Sequence, residues 1–245
     1  MIEILQWSTL AVCGLIALAR VPSALRGENR TLFYIFALLT LAILLSIEAP
    51  YLAIDRLLGG INITNVILRF IIFAAIYFVG VRITKGFSAD AAYRLLTGRV
   101  GMGILALVSA LILVLFFMMD TSPSSVGLTG VNTASERNAV LVEYYGAAGR
   151  AYPAYVSLVL LPAMVRAVFS RLPLLVRIAA GLLAVGGAAV GLTLLFPLVP
   201  AEWSALMYLT NYTAILCYVV GLTLIWMARL RNRSKARRNK TSTAK

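Results

Sequence analysis

Long apolar runs recur from one end of the chain to the other, and they decide what it can fold into. A helix rises about 1.5 Å per residue, so about 20 mostly apolar residues cross the hydrocarbon layer of a bilayer. Seven segments approach or exceed that length: 4–20, 31–49, 65–83, 101–119, 149–169, 175–198 and 204–228. Inside hydrocarbon every peptide N–H and C=O must be paired within the protein, and a helix pairs them within its own segment. The expected fold is therefore all-α, a polytopic membrane protein with a seven-transmembrane-helix bundle over 1–228 and a basic tail over 229–245. Composition agrees, with 61% hydrophobic and only 13% charged residues, where soluble domains carry about a quarter charged. The mean hydropathy is +0.93. No basic residue precedes the first run and no clear cleavage site follows it, so residues 4–19 read as a retained helix rather than a removed signal peptide.

Proline punctuates the runs. Of Pro22, Pro50, Pro123, Pro153, Pro173, Pro197 and Pro200, six fall at or near expected helix ends, where a missing N–H does little harm. Pro162 lies inside the fifth run and predicts a kink.

Basic residues set the expected orientation. With the N-terminus outside and the C-terminus in the cytoplasm, eighteen of the 22 Lys and Arg residues face the cytoplasm. Four do not: Arg56, Arg69, Arg137 and Arg150. Positively charged loops are retained on the cytoplasmic side, so this orientation is chosen over its reverse. The acids lean the other way, seven outside and two inside. The expected location is the plasma membrane, as in a bacterial inner membrane. Eight basic residues crowd Arg229–Lys245, and Arg229–Lys240 is expected to contact anionic lipid as a topological anchor. A membrane or cytoplasmic protein partner is the sharper alternative for this tail. No aromatic residue is interleaved there to favour nucleic acid.

Three connections stand out. An outer one runs from Asp120 to about Gly149, with the turn-forming Thr121-Ser-Pro-Ser-Ser125 and Gly127-Leu-Thr-Gly130. Another, Tyr51 to Thr64, carries Asp55-Arg56, Gly59-Gly60 and the glycosylation-type tripeptide Asn62-Ile-Thr64. An inner one, Thr84 to Arg99, has the makings of a short interfacial helix, with Phe87, Tyr93 and Leu95-Leu96 against Lys85, Arg94 and Arg99.

Polar residues within apolar spans are the functional clues. Arg69 lies about one turn into the third run and Glu48 near the outer end of the second, so Arg69 either forms an ion pair with Glu48 or Asp55 or extends to the outer headgroups. Glu143 and Arg150 stand seven apart and share a face if the fifth helix starts early. With Gln6, Trp7, Trp203, Tyr208, Asn211 and the tyrosines 144, 145, 152 and 155 they suggest a polar-aromatic cup opening outward. The candidate ligand-binding set is Glu48, Arg69, Glu143, Arg150, Tyr208 and Asn211. Many of these tyrosines also suit a membrane-interface belt. Asn211 equally suits a hydrogen bond between helices, and Gly187-x-x-x-Gly191 suits close helix packing.

Absences narrow the chemistry. There is no His, and Cys13 and Cys217 sit in apolar runs. Zinc sites and Cys–His nucleophiles are thus not expected. No Lys lies within a run, which excludes a rhodopsin-type Schiff base. No phosphate-binding P-loop or nucleophile elbow is present. No catalytic residue, metal site or cofactor is expected.

Three stretches carry a resemblance: Arg26-Gly-Glu-Asn-Arg30, Ile54-Asp-Arg-Leu-Leu-Gly-Gly-Ile-Asn62, and the Tyr-rich start of the fifth helix followed by Arg171-Leu-Pro-Leu-Leu-Val-Arg177. Over most of its length the chain resembles a family of actinobacterial multi-pass membrane proteins described as transporters or membrane regulators. That resemblance implies a seven-helix module followed by a cytoplasmic domain. This chain has the basic tail in that place, so signalling through such a domain would require a partner. The leading expectation is a non-enzymatic membrane module, receptor-like or regulatory, sensing a ligand or partner at the outer face. A small-solute transporter and a structural subunit of a membrane complex are the alternatives.

Overall fold

The computed structural model describes residues 2–27 and 30–198, and beyond them 209–210, 213–214, 216–218, 220–222, 224–225 and 227–228. Regular structure among the described residues is helical throughout. The helices are α1 (Ile2–Leu25), α2 (Arg30–Leu44), α3 (Glu48–Leu57), α4 (Ile63–Gly86), α5 (Asp90–Thr97), α6 (Arg99–Met118), α7 (Glu136–Val168) and α8 (Leu174–Leu192). Tight 3-10 turns occupy Val126–Leu128 and Thr193–Leu198.

Among the described residues five stretches are long and apolar enough to cross a membrane, or six if the bent pair Arg30–Leu44 and Glu48–Leu57 is one span: Gln6–Leu25, Ile63–Gly86, Arg99–Met118, Glu136–Val168 and Leu174–Leu195. The second expected run, 31–49, is not one continuous helix. It stops at Leu44, and α3 leaves at 89° to α2. The sequence supplies the cause. Pro50 has no N–H to give the Ser46 carbonyl, so carrying α2 on through it would cost a hydrogen bond. The end of α2 tightens instead, with Ser46 N–H bonded to Ile43 O and Ile47 N–H to Leu44 O. Pro50 then sits in the first turn of α3, where N–H groups lack helical partners anyway. Of the seventh expected span, 204–228, fourteen of the 25 positions are described, and all fourteen are helical.

One loop expectation changes and another is met. Helix α7 begins at Glu136, not near 149, so the connection after α6 is roughly half the expected length. Residues 136–145 hold no Gly or Pro, and Glu136 places an acid in the first turn. Their polarity hid them from a reading based on apolar runs. Helix α5 forms within 84–99, as the alternating apolar and basic residues there suggest, with Leu96 fully buried. Helix α7 passes through both Pro153 and Pro162.

The chain divides into two compact units, Met1–Ile83 with Tyr93–Pro153, and Thr84–Ala92 with Ala154–Lys245. In the first, α1 packs along α2 and leaves Trp7, Val12, Leu15 and Leu18 exposed, an apolar face suited to lipid. Leu45, Leu68 and Ile71 form a core with Leu38, Ala42, Ile54 and Ile72 around it. Helices α4 and α7 meet through Phe73 and Tyr152, ring centroids 5.3 Å apart, and α6 meets α7 through Phe116 and Tyr145.

In the second unit the small residues of α8 are spent on internal packing. A Cβ on Gly187 would lie 3.2 Å from Met164 Cε, and one on Gly191 3.2 Å from Leu158 Cδ2. Ser157 and Tyr218 share a hydrogen bond of 3.0 Å. Arg177 Nε donates to Val168 O, the last carbonyl of α7, at 2.7 Å and so fixes the α7–α8 turn.

Two glycines of α6, two residues apart, test this packing. A Cβ on Gly101 would overlap the backbone carbonyls of Leu95 and Leu96, whereas one on Gly103 meets nothing within 4 Å. Gly101→Ala is expected to destabilise the purified protein by about 2 kcal/mol or more. Gly103→Ala should be neutral or stabilising by about 0.5–1 kcal/mol. Unfolding in detergent, followed by circular dichroism, measures both.

Candidate functional site

Where α3 turns into α4, the backbone passes Gly59 and Gly60 at φ +105° and +69° and Asn62 at φ +62°. Glycine takes such angles freely and Asn tolerates them better than most residues. The turn leaves the first N–H groups of α4 unpaired within the helix. Asp55, which has no exposed surface, supplies their acceptor. Its carboxylate accepts from Asn62 N–H at 2.9 Å, from Thr64 N–H at 3.0 Å and from the Ser124 hydroxyl. Burial alone would raise this carboxyl's pKa, but the hydrogen bonds from Ser124, Thr64 and Asn62 outweigh it and hold the group below its ordinary 3.8.

Asn62 is equally buried and uses its whole hydrogen-bonding capacity. Its Oδ1 accepts from Tyr51 Oη at 2.7 Å and from Ser125 N–H at 2.9 Å. Its Nδ2 donates to Thr121 O and to Pro123 O. The Thr121 hydroxyl returns a bond to Ile61 O at 2.8 Å. At the far end of the same loop Asn138 accepts from Asp120 N–H at 2.8 Å and donates to Asp120 O and Asn132 O. The 120–135 connection is thus pinned at both ends, with Leu128 and Val131 buried beneath it.

One turn further along α4 lies a second cluster. Asn65 and Arg69 are four apart, on one face of the helix. Tyr145 of α7, fully buried, donates to Asn65 Oδ1 at 2.9 Å. The Arg69 guanidinium lies 5.5 Å from the centre of the Tyr145 ring, a cation–π contact. It also rests against Gly149 so closely that a Cβ there would overlap it. Arg150 Nη1 lies 3.5 Å from where a Cβ on Gly146 would stand. Gly146 and Gly149 are three apart and share a face of α7. Both guanidiniums therefore lie along the single turn Gly146–Arg150.

Of the candidate residues, Arg69 and Arg150 come together on this turn, with Glu143 exposed two turns before Arg150. Glu48 does not join them. It is the first residue of α3, exposed, where an acid favours the helix N-terminus. Arg69 pairs with neither Glu48 nor Asp55: it rests on Tyr145, and Asp55 is occupied by Asn62, Thr64 and Ser124. Tyr208, Asn211 and Trp203 lie outside the described residues. Gln6 and Trp7 lie in α1, Trp7 being 48% exposed, and Tyr144 is 60% exposed, as a belt residue would be. The tripeptide at Asn62 is no glycosylation acceptor in this fold, because its amide is buried and fully bonded. Asn138 escaped the sequence reading, and Asn62 entered it only as a glycosylation-type position. Asn65 escaped it too, although its spacing from Arg69 was legible. No group of three or more Cys, Asp and Glu side chains gathers among the described residues.

No protein-family model matches the chain, and no curated protein or solved structure matches it either.

Removing the Asn62 side chain strands Tyr51 Oη and the Thr121 carbonyl, so Asn62→Ala is expected to cost about 2–4 kcal/mol. Equilibrium unfolding in detergent checks this. The Asp55 carboxyl titrates lower folded than unfolded. Its stabilisation is therefore complete above the ordinary value of 3.8 and disappears as pH falls through the lower folded value. Hydrogen exchange at residues 58–64 and 121–125 should stay slow down to about pH 4 and accelerate below it. In Asp55→Asn that acid transition should vanish.

Proposed function

We propose that the chain is a non-enzymatic integral membrane module, receptor-like or regulatory, that binds a ligand or partner at its outer face through the α4–α7 cluster. The topology that goes with this reading is seven spans, an external N-terminus and a cytoplasmic basic tail, in a bacterial plasma membrane. The observation that carries it is the convergence of Asn65, Arg69, Tyr145 and Arg150 on one turn of α7. A charged side chain within a span is costly and is retained where it does work. Two cations, an amide and a phenol suit recognition, since they provide no nucleophile paired with a base. The pinned loop 120–135 supplies a rigid rim at the same end of the first unit.

A small-solute transporter is the second reading, favoured by the 89° break between α2 and α3, because transporter sites are commonly built at discontinuous helices. The complex-subunit reading has lost the motif that suggested it, since Gly187 and Gly191 pack inside their own unit.

Protein purified from native membranes in mild detergent is expected to carry a small molecule or a stoichiometric partner that is lost from Asn65→Ala. Flux of that molecule in reconstituted vesicles would move the assignment to a transporter, and loss-free binding in the variant would remove the cluster from it. A phosphatase active only after export should be inactive when fused after Lys245. An active fusion there would reverse the topology.

A further inference from the structure

Helices α1 and α2 run antiparallel: a Cβ on Gly14 would touch Thr40, Arg20 lies over Phe36, and Arg30 reaches back to Ala24. At the end of the span Gln6–Leu25 they part around a cleft of about 260 Å³, lined by Val21, Ala24, Leu25, Arg30, Phe33 and Tyr34. We propose that this cleft holds the phosphate and the adjoining acyl chain of one anionic phospholipid. The site shares no residue with the α4–α7 cluster and requires only that the chain span a bilayer.

The charges favour a phosphate. Arg30 Nε donates to Ala24 O at 3.3 Å, one of the last carbonyls of α1, which lack helical partners. That bond uses one of five guanidinium donors, and Arg30 is exposed, as is Arg26. A guanidinium fork matches phosphate oxygens closely. One turn from Ala24 toward the middle of α1, Arg20 lies 5.6 Å from the centre of the Phe36 ring. Its Nε is buried and makes no hydrogen bond among the described residues. Residues 20–30 carry three arginines against one acid, Glu28.

The walls favour a lipid over a soluble anion. Five of the six lining side chains are apolar or aromatic. Leu25, beside Arg26, is 79% exposed, and an acyl chain would cover it as water does not. Tyr34 is braced by Phe78 of α4 and by Phe33, with ring centroids 5.4 and 5.8 Å away, so this wall stands ready-made. Sites that enclose a whole small molecule measure roughly 300 Å³ or more. The cleft is smaller, which suits an occupant that keeps most of its bulk in the bilayer.

Full-length protein in mild neutral detergent is titrated with equal amounts of phosphatidylglycerol and phosphatidylcholine of the same chain length. Native mass spectrometry reads the bound lipid. Phosphatidylglycerol should bind at least about fivefold more tightly; equal binding of the two, or none, overturns the proposal. Arg26→Gln and Arg30→Gln should each remove about fivefold of that preference. A preference that survives Arg30→Gln belongs to the basic tail and overturns the cleft. Arg99→Gln, exposed and outside the cleft, should change nothing, and an equal loss there would mean attraction by net charge alone. The wild-type comparison stands even if a variant does not fold. Folded Asn65→Ala should keep the lipid while losing whatever the α4–α7 cluster binds, so either site can fail without the other. Loss of the lipid from that variant would take it away from the α1–α2 cleft.

Discussion

Asp55 carries a charge into a place with no exposed surface, and one end of the first unit is arranged around it. A break in a helical chain near lipid creates unpaired peptide groups with little water to satisfy them. The turn between α3 and α4 is such a break. Asp55 reaches from α3 to the first N–H groups of α4 and also takes the hydroxyl of Ser124 from a loop about seventy residues later. A buried carboxylate is tolerable because hydrogen bonds meet it from three directions. Removing any one of them would leave charge poorly solvated, so the turn and the loop stand or fall together.

Asn62 extends the same logic to the loop. It has as many hydrogen-bonding positions as the site demands, two accepting and two donating, and all are filled by groups from α3 and from residues 121–125. This rigidity reaches the cluster below through α4, whose first turns carry both the knot and the pair Asn65 and Arg69. The Arg69 side chain is then positioned by packing, with an aromatic ring on one side and a bare helix backbone on the other. Gly149 matters there for what it lacks: a methyl group at that position would occupy the space of the guanidinium.

Much of this was legible in the chain and some was not, for identifiable reasons. Helices α4, α6 and α8 announce themselves because their apolar runs are long. The N-terminal half of α7 does not, because residues 136–145 mix charge with apolar side chains, and helical structure there depends on the absence of Gly and Pro rather than on hydropathy. Pro50 could be read as a helix end, and it is one; that a new helix begins around it at 89° could not. Arg69, Arg150 and Glu143 were visible as charges at odds with their surroundings. The ion pair considered for Arg69 does not form, because depth along two helices says nothing about which faces meet.

By itself the sequence determined the class of solvent this chain is built for and the helical form that follows. Twenty-residue apolar stretches leave a backbone few other ways to pair its polar groups. It also determined which side chains were out of place. Tertiary structure alone decided what those side chains do. It put Asp55 with the loop after α6, turned Asn62 inward where a sugar cannot reach, and laid Arg69 against Tyr145 and Gly149. These contacts join residues about sixty to eighty positions apart, and local propensity carries no information over that separation. Only the meeting of helix faces does.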